Sequence, residues 1–330
     1  MSEPCVLEYV RYANSVWNLP AEHVAALARA FPQVRVVRAD SREEADARLP
    51  EADVVFGYAV TEANFARARR LRWIHSPAAG VGHMLFPALV ASGVTLTNAR
   101  GLHADAMAEH TLGVLLAFAR KLHWSRDAQR ERRWDQVAQW TEPPFFESLA
   151  GSTLGLVGFG RVGTAIAARA RALGMRVLAV RRHPAADPAP ADAQWGVERL
   201  PELLAAADWL VLATPLTADT HGLVGEAELA RMKPGARLVN LGRGGLVDEA
   251  ALAAALAAGR LAGAALDVFA TEPLPAESPL WDQREVIVTP HTSGVGPRYW
   301  ERALAQFSDN LRRYLAGEPL ANVVDKRAGY

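Results

Sequence analysis

The sequence predicts an α/β protein of two domains, each a doubly wound parallel sheet with helices on both faces. Short apolar runs alternate with helix-like segments along most of the chain, which is typical of parallel sheets. The chain has 330 residues, 50% of them apolar, whereas single hydrophobic cores stop growing at about 250 to 300 residues. The alternation is regular after Gly151 and looser before Asn98. We therefore expect a larger and a smaller domain with a cleft between them.

The smaller predicted domain begins the chain. Apolar residues at helical spacing predict a helix over Ala21–Ala30. The tail RYWERALAQFSDNLRRYLAGEP has apolar or aromatic residues every three or four positions before a Gly-Glu-Pro stop, so we expect an amphipathic helix that packs back on this domain. The domain is thus predicted to comprise residues 1–98 and 294–330. Its predicted strands are CVLEYV, VRVVRA, DVVFGYA, LRWIHSP and VTLTN.

The segment ADAMAEHTLGVLLAFARKLHWSRDAQRERRW lies between the domains. It has apolar positions at helical spacing and no proline, which predicts one long helix that serves as a linker and a dimer surface. His103, Glu109 and His110 lie near its start, but their spacing matches no helical zinc motif such as H-E-x-x-H. We expect these three residues to cap and pack the helix, and we expect no metal site.

The larger predicted domain, residues 99–293, contains the hexapeptide GFGRVG after the apolar run LGLV. A G-x-G-x-x-G pattern between a strand and a helix provides a tight turn, close backbone approach to a pyrophosphate and close helix packing. The helix N-terminus offers N–H groups to the phosphates. We therefore predict a Rossmann-like dinucleotide-binding domain. Its predicted cofactor loop consists of Gly158, Phe159, Gly160, Arg161, Val162 and Gly163.

The remaining elements of this domain follow in alternation. The predicted strands are TLGLVGF, RVLAV, WLVLATP, RLVNLG, GAALDVF and VIVTP, and the predicted helices are RVGTAIAARARALG, LPELLAAA and EAALAAALAAG.

Two arginines, Arg181 and Arg182, follow the second strand of this domain, and no acidic residue occurs before Asp187. NAD-binding domains place an Asp or Glu near this position to bind the ribose hydroxyls. Guanidinium groups instead match phosphate oxygens, which an acid would repel. The sequence favours NADP(H) over NAD(H). The alternative is that both arginines are solvated and NAD binds through backbone contacts.

Three later strands end in residues suited to hydride chemistry. Because the carboxyl ends of parallel strands border the ligand crevice, we expect Arg243, Asp267, Glu272 and His291 to converge near the cofactor. A 2-keto acid that accepts hydride needs a proton donor and a fixed cation. His291 is predicted to supply the proton, Glu272 to favour its imidazolium form, and Arg243 to bind the substrate and polarise its carbonyl. Taken singly, each could be an ordinary loop or surface residue.

Several motifs together resemble the D-isomer-specific 2-hydroxyacid dehydrogenases, which include glyoxylate and hydroxypyruvate reductases. The motifs are AAGVGHML, HADAMAEHTLG, LAGSTLGLVGFGRVG, ATPLTADTHGLV, MKPGARLVNLGRGGLVDEAAL, GAALDVFATEPLP and TPHTSG. The resemblance implies reduction of a small 2-keto acid to the D-2-hydroxy acid, with Arg243, Glu272 and His291 as the catalytic arginine, glutamate and acid/base histidine. It also implies a homodimer through the nucleotide-binding domains. Because the chain ends soon after NVVD, we expect no added regulatory domain.

The same resemblance implies further contacts. Asp267 would contact the nicotinamide carboxamide, and Thr214 and Pro215 would border the cofactor cleft. The loop of Ala79, Gly80 and Val81 would offer backbone N–H groups to the substrate carboxylate. Residues that could line the substrate pocket, each with an alternative packing explanation, are Tyr58, His75, Met84 and Tyr299. Trp134 and Trp300 are interpreted as core or interface aromatics.

The charge composition gives no reason to expect a nucleic acid or a membrane as a partner. Basic and acidic residues both number 36, so nothing favours nucleic acid or an anionic membrane. Cys5 is the single cysteine, which excludes an intramolecular disulfide and suits a reducing cytoplasm. The sequence contains no secretory leader or apolar membrane span, and we expect a cytoplasmic enzyme. The alternative function is a dinucleotide-sensing binding protein, like the corepressors that share this fold, and turnover distinguishes the two.

Overall fold

The computed structural model describes residues 3–12 and 17–329. It separates into two compact units. One comprises Met1–Leu102 and Pro297–Tyr330, and we call it the discontinuous domain. The other, His103–Gly296, is the continuous domain. The sequence prediction put the two boundaries after residues 98 and 293.

The discontinuous domain is a five-stranded parallel sheet with helices around it. The strand order is β2-β1-β3-β4-β5, and the predicted parallel α/β architecture is confirmed. Its strands are β1 Cys5–Tyr9, β2 Arg35–Arg38, β3 Val54–Gly57, β4 Trp73–Ser76 and β5 Thr95–Asn98. Its helices are α1 Ala21–Ala30, α2 Arg42–Arg48, α3 Pro87–Ala91 and α11 Tyr299–Ala316.

Helix α11 completes the core of this domain, as the amphipathic pattern predicts. The Phe307 ring stacks between Phe56, at 4.4 Å, and Trp73, at 5.1 Å. Trp300 packs at the edge of the same cluster. Burying an aromatic side chain removes ~150–250 Å² of surface from water, so this contact helps to hold α11 on the domain.

Helix α2 was not predicted, because its sequence REEADAR has no apolar periodicity. Its capping residue is nevertheless visible in the sequence. Ser41 accepts a hydrogen bond from the Glu44 N–H at 3.1 Å, and Ser-x-x-Glu is a known helix-start signature.

The continuous domain is a seven-stranded parallel sheet of order β12-β11-β10-β9-β6-β7-β8. The order reverses beside β6, which makes the sheet doubly wound and confirms the predicted Rossmann-like class. Its strands are β6 Thr153–Val157, β7 Arg176–Val180, β8 Ala193–Trp195, β9 Trp209–Leu212, β10 Arg237–Asn240, β11 Gly263–Leu266 and β12 Val286–Val288. Its helices are α4 Ala104–Ala119, α5 Leu122–Arg130, α6 Gln136–Thr141, α7 Arg161–Ala172, α8 Leu200–Ala206, α9 Glu226–Arg231 and α10 Glu249–Ala257.

The prediction of one long helix at the start of this domain is wrong. Lys121 adopts a left-handed conformation, φ 51°, and separates α4 from α5. Its side chain is buried, and the ammonium donates to the carbonyl oxygens of Gln139 at 2.7 Å and Glu142 at 2.9 Å. The rings of Trp124 and Phe146 lie 4.9 and 5.2 Å from it. Burial lowers the pKa of Lys121. The helix breaks where this lysine turns inward.

Trp134 does not belong to the core. It is 88% exposed, so the prediction of a core aromatic is wrong for this residue, and an interface role is still a prediction. None of the helices among the described residues is both long and apolar enough to cross a bilayer.

Candidate active site

Each of the three glycines in the predicted cofactor loop has its own structural role. A Cβ at Gly158, where φ is +96°, would lie 2.6 Å from the Ala213 carbonyl oxygen. A Cβ at Gly163 would lie 2.4 Å from the Gly158 carbonyl oxygen, so that glycine allows α7 to pack against the turn. At Gly160 a Cβ would meet nothing within 4 Å. The open face at Gly160 is where a pyrophosphate can approach the backbone.

The N-terminus of α7 also has the hydrogen-bonding capacity that a dinucleotide needs. Within the described chain, no hydrogen bond engages the N–H groups of Gly160, Arg161 or Val162. The first N–H groups of a helix have no intrahelical acceptor and favour anions. The Phe159 side chain is buried in the hydrophobic core and Val162 is half-buried against it, while the Arg161 side chain is exposed.

Strand β7 ends at Val180, and the two arginines follow it as the sequence predicts. The Arg181 N–H pairs with the Trp195 carbonyl of β8 at 3.0 Å. Arg182 donates from Nη2 to Asp219 at 2.9 Å, and both side chains are exposed. Asp219 lies in the loop after β9, four residues beyond Pro215. The sequence reasoning did not anticipate this pair, because the two residues are 37 positions apart.

The loop after β10 carries Arg243 and is fixed by the buried Asn240. The Asn240 side chain accepts from the Gly242 N–H at 3.1 Å and donates to the Arg243 carbonyl at 2.9 Å. A Cβ at Gly242 would lie 2.7 Å from the Thr214 carbonyl oxygen, so this loop and the segment after β9 are adjacent. The Arg243 side chain is exposed, with Nη1 donating to the Gly242 carbonyl at 2.6 Å.

Asp267 follows β11 and is only 1% exposed. Its Oδ1 accepts from Thr289 Oγ1 at 2.6 Å and from the Thr292 N–H at 2.8 Å, and its Oδ2 accepts from the Ser293 N–H at 3.0 Å. Its carbonyl accepts from the His291 N–H at 2.9 Å. In the structure Asp267 therefore anchors the loop that carries His291. A contact with the nicotinamide is still a prediction.

His291 and Glu272 form the pair that the sequence predicts. His291 Nδ1 lies 2.7 Å from Glu272 Oε2. The other carboxylate oxygen, Oε1, accepts from the Phe269 N–H at 3.0 Å, which orients the group. Because a carboxylate only accepts, Nδ1 carries the shared proton and Nε2 is the ring nitrogen left to exchange one.

The Arg243 loop meets the segment that carries Glu272. A Cβ at Gly244 would lie 1.8 Å from the Phe269 carbonyl carbon, so the backbones touch there and only glycine fits. The structure thus brings the loops of Arg243, Glu272 and His291 together at the carboxyl edge of β10, β11 and β12. A cation, a carboxylate-bound imidazole and a glycine-rich loop with free N–H groups on one sheet edge can bind an anion and deliver a proton.

The sequence predicts that three residues, His103, Glu109 and His110, cap and pack the helix α4. The structure agrees with this prediction only in part. His103 is the N-cap residue of α4, but its side chain makes no capping bond, and its Nδ1 lies 2.9 Å from the Gly294 carbonyl oxygen. His110 Nε2 approaches Thr289 Oγ1 at 3.4 Å, and burial lowers the pKa of His110. Within residues 3–12 and 17–329, no three His, Cys, Asp or Glu side chains are grouped to hold a metal ion.

In the discontinuous domain, the loop after β4 presents unengaged amides. The Asn98 side chain donates to the Ala79 carbonyl at 2.7 Å, and the Ala99 N–H donates to the Ala78 carbonyl at 3.1 Å. No hydrogen bond to another described residue engages the N–H groups of Ala79, Gly80 or Val81. Successive free amides of this kind form anion-binding concavities.

Two of the residues suggested as pocket lining belong to the core instead. His75 is fully buried against aromatic rings, with Nδ1 2.7 Å from Thr97 Oγ1, and burial lowers its pKa to about 3. Met84 is also buried. Tyr58 is half-buried, and its hydroxyl lies 2.6 Å from that of Tyr12, a residue that the sequence reasoning missed. Tyr299 donates its hydroxyl to the Pro77 carbonyl, next to the loop.

Comparison with known proteins agrees with this geometry. The family model "D-isomer specific 2-hydroxyacid dehydrogenase, NAD binding domain" matches residues 112–293. The D-3-phosphoglycerate dehydrogenase of Mycobacterium bovis is 37% identical over 335 residues, covering 100% of this chain. The chain spans 60% of the length of that relative. The glyoxylate reductase of Korarchaeum cryptofilum is 34% identical over 267 residues, covering 79% of this chain and 78% of the relative.

A solved structure resembles the whole chain. The NADPH-dependent glyoxylate/hydroxypyruvate reductase of Sinorhizobium meliloti, in complex with NADP and sulfate, has a TM-score of 0.82 and 27% identity. The match covers 99% of this chain and 100% of that one. On the matched family model and these relatives, the chain belongs to the D-isomer-specific 2-hydroxyacid dehydrogenases.

Proposed function

We propose that this chain reduces a small 2-keto acid of the glyoxylate or hydroxypyruvate type to the D-2-hydroxy acid. The observation that carries the proposal is the His291–Glu272 pair at 2.7 Å beside the Arg243 loop. A bound nicotinamide dinucleotide supplies the hydride. As the substrate oxygen gains negative charge, His291 Nε2 gives it a proton, and Glu272 stabilises the imidazolium.

Substrate binding is assigned to anion-binding groups. Arg243 binds the carboxylate and polarises the carbonyl, since a guanidinium offers paired donors to planar oxygens. The free N–H groups of Ala79, Gly80 and Val81 bind the substrate carboxylate, and Tyr58 lines the site. In the continuous domain, Thr214, Pro215 and Asp267 would hold a bound dinucleotide.

We also propose NADP(H) as the preferred cofactor, with Arg181 and Arg182 binding the 2′-phosphate. The pairing of Arg182 with Asp219 does not oppose this. Both side chains are exposed, at 42% and 78%, and exposed ion pairs contribute only about 0–1 kcal/mol. A phosphate with two charges and three acceptor oxygens competes successfully for that guanidinium. The solved relative from S. meliloti was described as NADPH-dependent.

A homodimer through the continuous domain is the third part of the proposal. Four large apolar side chains of the segment 134–145 are exposed in one protomer: Trp134, Val137, Trp140 and Phe145. Large exposed apolar side chains close together in the chain are typical of protein interfaces. Lys121 holds the segment in place through its bonds to Gln139 and Glu142.

The test is initial rates with hydroxypyruvate and glyoxylate, each with NADPH and with NADH. The parent protein is compared with a variant carrying Arg181→Ala and Arg182→Ala. We expect an NADPH preference that collapses in the variant. Equal or better use of NADH by the parent would refute the phosphate role of the arginines. Dinucleotide binding without turnover of any 2-keto acid would favour the corepressor-like binding protein.

A further inference from the structure

Two tyrosine hydroxyls meet where the sheet of the discontinuous domain changes its direction of winding. The order β2-β1-β3-β4-β5 reverses between β1 and β3. Open α/β sheets bind ligands outside the carboxyl ends of their strands at such a reversal. Tyr12 follows β1 and Tyr58 follows β3, and their hydroxyl oxygens are 2.6 Å apart. The tyrosine pair therefore occupies the position where this topology binds a ligand.

The tyrosine pair is connected to the loop that offers free amides. Strands β3 and β4 pair side by side, and Ser76, the last residue of β4, accepts at Oγ from the Ala78 N–H at 3.2 Å. At the other end of the loop, the His83 ring lies 5.5 Å from the Tyr58 ring. The Tyr58 ring therefore borders the loop to which the substrate carboxylate is assigned.

The chemistry of the pair is polar and uncharged. Partial burial and the adjacent Tyr58 hydroxyl raise the pKa of Tyr12, and burial raises the pKa of Tyr58, so both phenols stay protonated at neutral pH. Each phenol carries one hydroxyl proton, and one of these two protons forms the hydrogen bond between Tyr12 and Tyr58. The second proton and the remaining lone pairs can donate to and accept from a substrate hydroxyl.

Two arginines that flank the pair, Arg11 beside Tyr12 in the chain and Arg42 bonded to the Tyr58 carbonyl, are already engaged by the protein. Arg11 donates to Asp40 at 2.7 Å, to Glu8 at 3.2 Å and to the Val10 carbonyl at 2.8 Å. Arg42 donates to the Tyr58 and Ala59 carbonyls at 3.0 and 2.9 Å. A phosphate dianion placed at the phenols would have to displace these acceptors to gain a cation.

We propose that the Tyr12–Tyr58 pair determines specificity for the C3 substituent of the 2-keto acid. It selects an uncharged hydroxyl over hydrogen and over a phosphate ester. The inference rests on the proposed 2-keto acid reductase activity. It distinguishes this chain from the relatives named D-3-phosphoglycerate dehydrogenase.

Four substrates test the inference through kcat/KM with NADPH. Glyoxylate has no C3, pyruvate has a C3 methyl group, hydroxypyruvate has a C3 hydroxyl, and 3-phosphohydroxypyruvate has a C3 phosphate. We expect the parent protein to prefer hydroxypyruvate over both pyruvate and the phosphate ester. In Tyr12→Phe, the ratio of hydroxypyruvate to pyruvate should fall roughly two- to tenfold, the value of one hydrogen bond. A merely structural defect would lower all four values in parallel and preserve the ratios.

Two further variants complete the design. Tyr58→Phe removes the other hydroxyl and should shift the same ratio, so the test survives if Tyr12→Phe does not fold. Tyr314→Phe is the control, because that phenol packs against Trp73 at 5.7 Å in the core beneath α11, and it should leave every ratio unchanged.

The outcomes separate the two proposals. Absence of turnover with all four substrates overturns the proposed function and the inference with it. Turnover with glyoxylate, together with unchanged ratios in both Tyr12→Phe and Tyr58→Phe, overturns only the role of the pair. So does a parent protein that prefers the phosphate ester.

Discussion

At the scale of single residues, His291 combines two properties that affect how it should be tested. Its ring is held by Glu272, and its backbone has a left-handed conformation, φ 54°. Asn adopts this conformation more readily than most residues, whereas Ala and Gln do not. His291→Asn therefore removes the proton donor with the least added backbone strain.

We expect His291→Asn to lower kcat with hydroxypyruvate by about 10²- to 10⁴-fold, the usual contribution of a general acid. The dissociation constant for NADPH, measured by fluorescence titration, should change little. His23→Asn, in helix α1, serves as the control. If His291→Asn keeps kcat within tenfold of the parent, the proton donor is another group.

Residue types at strand ends could be read from the sequence, but their hydrogen-bond partners could not. Arg243, Glu272 and His291 were grouped because parallel strands share a carboxyl edge, and the 2.7 Å pair agrees with that reasoning. Asn240 and Asp267 act by bonding to backbone groups of loops, whose course the sequence does not define. For His75 the sequence leaves pocket lining and core packing both open, because β4 is buried on both faces and no alternation of polar and apolar residues shows which side chains face the core.

At the scale of elements, two glycines of the cofactor loop should respond differently to substitution by alanine, one through protein stability and the other through cofactor binding. Gly163→Ala should destabilise the continuous domain by about 1–3 kcal/mol, because its Cβ would overlap the Gly158 carbonyl. Gly160→Ala should leave stability nearly unchanged, since its Cβ meets no protein atom. It should instead weaken NADPH binding, because the methyl group occupies the approach of the pyrophosphate.

Thermal unfolding and NADPH titration of the two variants test this contrast. Gly113→Ala, in helix α4 with open space for a Cβ, is the control for both measurements. Equal NADPH affinity in Gly160→Ala and the parent would show that the pyrophosphate lies elsewhere.

Most strands and long helices could be predicted from periodicity, but the break at Lys121 could not. A lysine in an apolar helical stretch is usually at the surface, and this one is buried. Its acceptors are carbonyls 18 and 21 residues later in the chain, a distance over which local periodicity carries no information. Strand β8 is missed for a different reason: its three residues, AQW, include a polar glutamine, whereas the equally short β12 is the apolar run VIV.

At the scale of the whole molecule, the exposed segment 134–145 predicts a concentration-dependent dimer. Each Trp can bury ~150–250 Å² in an interface. The double variant Trp134→Ser, Trp140→Ser should therefore be monomeric at micromolar concentrations where the parent is dimeric. Light scattering after size-exclusion chromatography measures the mass. The control is Trp281→Ser, an exposed tryptophan near the end of the domain. A monomeric parent, or a double variant that remains dimeric, would contradict the interface.

The discontinuity of the first domain has a consequence for synthesis on the ribosome. Domains generally fold in the order in which they emerge. Here Phe307, which stacks between Phe56 and Trp73, is translated after the whole of His103–Gly296. The domain that starts the chain must therefore wait with an incomplete core while the continuous domain emerges and folds. The domain whose first residues are translated earliest is thus the last to complete its core.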